Sequence, residues 1–97
     1  MSDDLVILRE EINKIDNKIL DLIVKRMEVS IKVGKYKKKH NINIVNTNRE
    51  NEVINRIINQ NYSKIILDMN NNEKVLDEYF IKNLWNYLMD YSKKLQN

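Results

Sequence analysis

Arg26 is the residue of this chain whose type and spacing most clearly ask for chemistry. Leu5, Leu8, Ile12, Ile15, Ile19, Leu22, Arg26, Val29, Val33 and Tyr36 recur in alternating steps of three and four, the pattern of a helix that buries one seam against other helices. A guanidinium stands where an aliphatic side chain belongs. Because arginine does not shed its proton, such a position calls for a fixed anion or a polar partner to offset desolvation. Lys37 lies eleven residues on, three turns along the same face and about 16 Å up the axis, so the two long side chains can converge on one small anionic molecule. Arg9 cannot join them from the same chain. It is about 25 Å from Arg26 along the axis and on another azimuth, although in an antiparallel or intertwined dimer it reaches the other subunit's pocket.

Further along stand Arg49 and Glu50, and near the end Ser92 and Gln96. Glu50, pointed inward, could accept a hydrogen bond from a ligand hydroxyl. Each of these has an ordinary explanation as well. Arg9 beside Glu10 and Glu11 reads as a solvated or loosely paired surface arginine. Lys37 belongs to Lys35-Tyr36-Lys37-Lys38-Lys39-His40, which complements the negative end of a helix dipole without any ligand. Glu50 completes a capping box with Thr47, and Ser92 and Gln96 can be surface residues near a fraying end. Only for Arg26 does the seam position favour an internal or ligand-facing role over solvation. The chain has no cysteine, one histidine, no Ser/His/Asp set, no metal-ligand spacing and no glycine-rich phosphate loop. What remains is a site of fixed donors and cations with no cofactor and no metal.

The elements that must position these groups are helical. With no proline and one glycine, the 97 residues read as a single all-α domain over 1–97, small enough that one copy buries a modest core. A first helix from about Asp4 to Lys39 extends about 50 Å, too long to fold back on two shorter successors, so its far end is expected to pack on a second subunit. His40 to Asn48 is a connector, and Thr47 with Glu50 marks the start of a second helix bearing Val53, Ile54, Ile57 and Ile58 on one side. The Asn-rich stretch from Asn59 to Glu73, interrupted by Ile65, Ile66 and Leu67, is either an extension of that helix or a packed loop, with a break at Asn70 to Asn72. A third helix, about Glu73 to Leu95, directs Phe80, Leu84, Tyr87, Leu88, Tyr91 and Leu95 to a core. A neighbouring stripe holds Ile81, Trp85, Leu88, Met89, Ser92 and Gln96.

The acidic start Met1-Ser2-Asp3-Asp4 is unlike a signal peptide, and no apolar run approaches a membrane span, so a cytoplasmic protein away from membranes is expected. A formal net charge of +3 demands no nucleic-acid partner and suits a small anionic ligand.

Taken in order, Leu8-Arg9-Glu10-Glu11-Ile12, Ile15-Asp16, Leu22-Ile23, Lys25-Arg26, Val33-Gly34-Lys35-Tyr36-Lys37 and Asn48-Arg49-Glu50 resemble the all-helical chorismate mutases, the AroQ class. The correspondence runs from about Leu8 to Arg56 and resumes in the third helix, where Leu76-Asp77 opens the segment and Ser92 and Gln96 fall at the family's terminal site positions. The resemblance implies an intertwined antiparallel homodimer of three-helix subunits that rearranges chorismate to prephenate, an isomerase step in aromatic amino-acid biosynthesis. It further implies that Arg26 and the partner subunit's Arg9 bind the two carboxylates, with Ser92 as an additional polar contact. Lys37 and Gln96 would donate to the ether oxygen, Glu50 would accept from the ring hydroxyl, and Arg49 would order that region. Three departures accompany it: Asn46 replaces an acidic residue, Lys93 stands at a small apolar position, and the segment from about Asn61 to Glu73 is longer than usual. Isochorismate pyruvate-lyase activity is the alternative within the fold. A non-catalytic dimerisation or polyanion-binding module using Lys35 to Lys39 is the alternative of another class.

Overall fold

The computed structural model describes residues 2–97 and runs α1 (Ser2–Lys39), α2 (Thr47–Asn61), β1 (Ile66–Leu67), β2 (Glu73–Lys74) and α3 (Glu78–Gln96). The all-α, three-helix subunit with one long N-terminal helix expected from the sequence is what forms. Asp3 and Asp4 in the first turn of α1 and Lys37, Lys38 and Lys39 in its last turn both complement the helix dipole. α1 stops at Asn41, whose φ of 55° is left-handed; the Ile42 amide donates to the Lys37 carbonyl at 2.8 Å and the Asn41 amide to Lys38 at 3.4 Å. This is the αL termination in which asparagine replaces the usual glycine. It reverses the chain and brings the connector back beside Lys37.

α2 starts as expected at Thr47 but for a different reason. Asn46, extended at φ −138°, accepts the Arg49 amide on its side-chain oxygen at 3.0 Å, so Asn46 is the cap and Thr47 is already the first helical residue. The Thr47–Glu50 capping box is therefore corrected, and the Glu50 carboxylate is released from that duty. α2 ends at Asn61, a buried residue whose amide donates to the Leu76 carbonyl and ties the end of α2 to the approach to α3.

Between them lies neither a helical extension nor a plain loop but a two-stranded antiparallel hairpin, with Ile66 opposite Lys74 and Leu67 opposite Glu73. Asp68 accepts the Asn70 and Asn72 amides on one oxygen, both at 2.9 Å, and Asn71 takes the left-handed φ of 61° that closes the turn. α3 consequently begins five residues later than its periodicity suggested. Asp77 caps it, accepting the Tyr79 and Phe80 amides.

α1 and α2 both pack on α3 and not on each other. The side chains buried by this arrangement are few: Met27, Val53, Ile58, Ile81 and Met89, with the polar Ser30, Asn61 and Ser92. On α3 the stripe of Ile81, Met89 and Ser92 faces inward, whereas Phe80, Leu84, Tyr87 and Tyr91, expected in a core, are exposed in the single chain, Tyr87 by 80%. The same holds for α1. Its apolar stripe from Leu5 to Tyr36, Arg26 aside, is 41–64% exposed, and the face turned to α3 is instead Met27, Ser30 and Gly34. Small residues four apart are what permit two helix backbones to approach. The chain has a radius of gyration of 17.5 Å and a long axis of 59 Å, against about 13 Å for the radius of a compact 100-residue domain. The N-terminal half of α1 thus projects beyond its own core.

Candidate active site

Because α1 and α2 share α3 as a floor without touching each other, a gap is left between them, and this gap is a cavity of about 470 Å³. α1 supplies Lys25, Arg26, Val29, Ser30, Val33 and Lys37; the connector supplies Ile44 and Asn46; α2 supplies Arg49, Glu50 and Val53. Met89, Ser92, Lys93 and Gln96 of α3 complete the lining. Six of the seven residues singled out from sequence, Arg26, Lys37, Arg49, Glu50, Ser92 and Gln96, are therefore brought together. Arg9 is not; it lies on the exposed projecting part of α1, away from its own chain's cavity.

Arg26 is partly buried, and its Nη1 donates to the Ser92 hydroxyl at 3.1 Å. Ser92 also accepts from Ser30 at 3.1 Å and lies 2.9 Å from the Leu88 carbonyl, to which it donates its proton. Two neutral hydroxyls thus orient the guanidinium without neutralising it. Burial, and then repulsion from Arg49 and Arg56, draws the Arg26 pKa below the usual arginine value. Even so, it stays charged at neutral pH, and among the described residues it makes no ion pair. Partial desolvation of a cation with no anion beside it is unfavourable, so the site is set to gain from a negatively charged occupant.

Lys37 reaches across from the end of α1 and donates to the Ile44 carbonyl at 2.9 Å, leaving two of its three N–H groups for the cavity. Arg49 is exposed on the first turn of α2 and pairs with Glu52 at 3.5 Å. Glu50 is less exposed, and its Oε1 accepts a 2.7 Å hydrogen bond from Lys93 Nζ. That bond, against a smaller opposing effect of burial, holds the Lys93 ammonium above the usual lysine range, with Asp90 at 3.3 Å assisting. Lys93 lines the cavity with its ammonium tied to Glu50 and Asp90.

Gln96 meets α1 at Gly34, where an added Cβ would stand 2.8 Å from Gln96 Cγ and 3.0 Å from its Cα. Only a residue without a side chain admits the end of α3 so closely. The Gln96 Oε1 is buried and has no hydrogen-bond partner among the described residues, an acceptor left without a donor. His40 packs on Tyr36 with ring centroids 4.2 Å apart and the rings tilted by 38°, and lies outside the cavity lining. The described residues contain no cluster suited to a metal ion, and none of their helices is long and apolar enough to cross a membrane.

Sequence reasoning missed Ser30 and Lys25 in the lining and Asn46 as the cap. Ser30 carried a signal: with Gly34 it makes a pair of small residues four apart on a helix otherwise rich in long side chains.

An all-helical subunit with a cation-lined cavity between three helices is the class these features define. The chain belongs to the chorismate mutase type II family, whose model matches residues 8–97. Among solved structures it is similar to a conserved hypothetical protein from Pyrococcus furiosus, with 30% identity, 96% of this chain and 95% of that one covered, and a TM-score of 0.69. No curated protein matches.

Proposed function

We propose that this protein is a chorismate mutase, an isomerase that converts chorismate to prephenate in aromatic amino-acid biosynthesis, acting as one domain over residues 1–97. The observation that carries the reading is Arg26, a half-buried cation with no carboxylate partner among the described residues, in a cavity with Lys37 and Arg49 in a chain of this family. Chorismate is a dicarboxylate. Arg26, kept in place by Ser92, takes one carboxylate, and Arg9 of the partner subunit takes the other.

The reaction is a unimolecular Claisen rearrangement with no covalent intermediate and no required acid or base. Catalysis then consists of holding a flexible substrate in a compact reactive conformer and favouring the charge that develops as bonds change. Negative charge grows on the ether oxygen as its bond to the ring carbon lengthens. Lys37 and the Gln96 carboxamide donate to that oxygen, and donors already in place favour the transition state over the ground state without reorganisation. Glu50 accepts from the ring hydroxyl, and Arg49 orders the first turn of α2 around it. No step needs a cofactor or metal.

The functional unit is an intertwined antiparallel homodimer. Its support is the projecting half of α1, whose apolar stripe no part of its own chain covers, and the exposed Phe80, Tyr87 and Tyr91 of α3. A second copy supplies the cover and brings its Arg9 into the site.

The test is product identification with chorismate and isochorismate supplied in parallel. Prephenate from chorismate above the spontaneous rate supports the mutase. Pyruvate release from isochorismate without prephenate formation would move the assignment to the lyase. Turnover of neither, with tight salt-sensitive binding to DNA, would favour the polyanion-binding module.

A further inference from the structure

The Lys93–Glu50 pair joins α3 to α2 at the cavity wall, both side chains being about 30% exposed, and it differs from the surface pairs elsewhere in the chain. Arg49–Glu52 and Lys93–Asp90 are neighbours three apart on one helix. Lys93–Glu50 instead spans 43 residues of sequence and two elements, at 2.7 Å.

Counting donors and acceptors defines what the pair leaves open. An ammonium has three N–H groups, and Lys93 gives one to Glu50 Oε1 while Asp90 stands at ion-pair distance, 3.3 Å; a carboxylate has two oxygens, and Glu50 commits Oε1. At least one charged donor and one charged acceptor therefore remain on two paired residues of the cavity lining. A ligand carboxylate there is repelled by Glu50, an ammonium is repelled by Lys93, and a carbonyl or ether oxygen uses only the donor. A hydroxyl uses both, donating its proton to Glu50 and accepting from Lys93.

We propose that Lys93 is a specificity-determining residue that, together with Glu50, recognises a hydroxyl group on the ligand. The inference rests on the mutase reading, in which Glu50 meets the ring hydroxyl of chorismate, and adds a second, cationic partner to that hydroxyl. The hydroxyl sits on the ring carbon next to the one whose ether bond breaks, but it neither breaks a bond nor gives up its proton in the rearrangement, so the contact is present in both the ground and transition states. Its loss raises KM more than it lowers kcat.

The experiment compares wild type, Lys93→Met, Lys93→Arg, Glu50→Gln and the Glu50→Gln/Lys93→Met double variant. The measurements are prephenate formation and competitive inhibition by a cyclic dicarboxylate with and without a ring hydroxyl, after circular dichroism confirms that each variant is folded. Lys93→Met keeps the apolar stem, and its KM is expected to rise about tenfold, the scale of one charge-assisted hydrogen bond, with a smaller change in kcat. Lys93→Arg retains a charged donor and reverses part of the KM rise seen in Lys93→Met. The hydroxylated inhibitor weakens against Lys93→Met while its deoxy counterpart binds both proteins equally. In the Glu50→Gln background the Lys93→Met effect shrinks, because the two groups act on one hydroxyl. An unchanged KM in folded Lys93→Met, with wild-type turnover intact, overturns the role of Lys93 and leaves the mutase reading standing. Equal weakening of both inhibitors overturns it too, as a general charge effect. Failure of the wild type to turn over chorismate overturns both.

Discussion

Gly34 and Gln96 are in backbone-close contact: a methyl group at residue 34 would stand within 3.0 Å of the Gln96 Cα. The position of a proposed ether-oxygen donor at the end of α3 is thus set by the absence of a side chain on α1. Gly34→Ala gains about 1 kcal/mol of helix propensity and loses about 1–3 kcal/mol to overpacking. The expected result is a folded protein with stability lowered by at most about 2 kcal/mol, the difference of those terms. Its turnover is expected to fall about tenfold or more as Gln96 is displaced. Thermal melts and chorismate kinetics on the same sample separate the two effects; full activity in Gly34→Ala would remove Gln96 from the mechanism.

Asn46 governs the first turn of α2, which carries Arg49 and Glu50. Replacing it with alanine leaves the Arg49 amide without its acceptor and is expected to cost about 1 kcal/mol. Asn46→Asp retains the cap and adds a favourable charge at the helix start. Denaturant melts should rank the aspartate variant at or above wild type and the alanine variant below it. Equal stability of all three would contradict the cap.

The hairpin turn is tied to one carboxylate. Hydrogen bonds from the Asn72 and Asn70 amides hold Asp68 below the usual carboxylate range. With the folded value below the unfolded one, the contribution is complete above pH about 4 and disappears as the pH falls through the folded value. Amide exchange at Asn70 and Asn72 should be flat from pH 7 to 5, after correction for intrinsic rates, and rise in excess below that. Asp68→Asn should abolish the transition. An excess that persists in Asp68→Asn would place the transition elsewhere.

The helical fold was legible in the sequence because its signals are local: an uninterrupted three-four spacing, a Pro-free chain, acidic first turns and basic last turns. Arg26 was legible as a site candidate because a charge in an apolar rhythm is visible in one dimension; Lys37 and Glu50 had ordinary local explanations and became candidates through the family resemblance. What was not legible depends on competition between nearby groups. Asn46 and Thr47 are both good caps, and only the extended backbone at Asn46, which sets its side-chain oxygen on the Arg49 amide, shows which one serves. The hairpin from Ile66 to Lys74 is too short for a period to register, and the pairing of Lys93 with Glu50 needs the α2–α3 crossing. Which apolar stripe faces α3 turned on small residues, Ser30 and Gly34, that a hydrophobic count passes over.

The proposed dimer with shared sites makes a quantitative prediction. If Arg9 serves the partner's cavity, inactive Arg9→Ala and inactive Arg26→Ala proteins, mixed and allowed to exchange subunits, form heterodimers with one intact site in two. Random exchange then restores about a quarter of wild-type activity. No recovery after exchange is verified by native mass spectrometry would place Arg9 outside the site. Ile12→Glu, on the uncovered stripe of α1, should yield monomers in sedimentation and lose activity with them.

The central claim is that the cavity cations, not the fold alone, rearrange chorismate. It is tested most directly by following chorismate loss and chromatographically identified prephenate for wild type and Arg26→Ala side by side. The account predicts prephenate from wild type well above the spontaneous rate and near-complete loss in an Arg26→Ala protein that remains a folded dimer. Undiminished turnover in Arg26→Ala, or none in wild type, would contradict it.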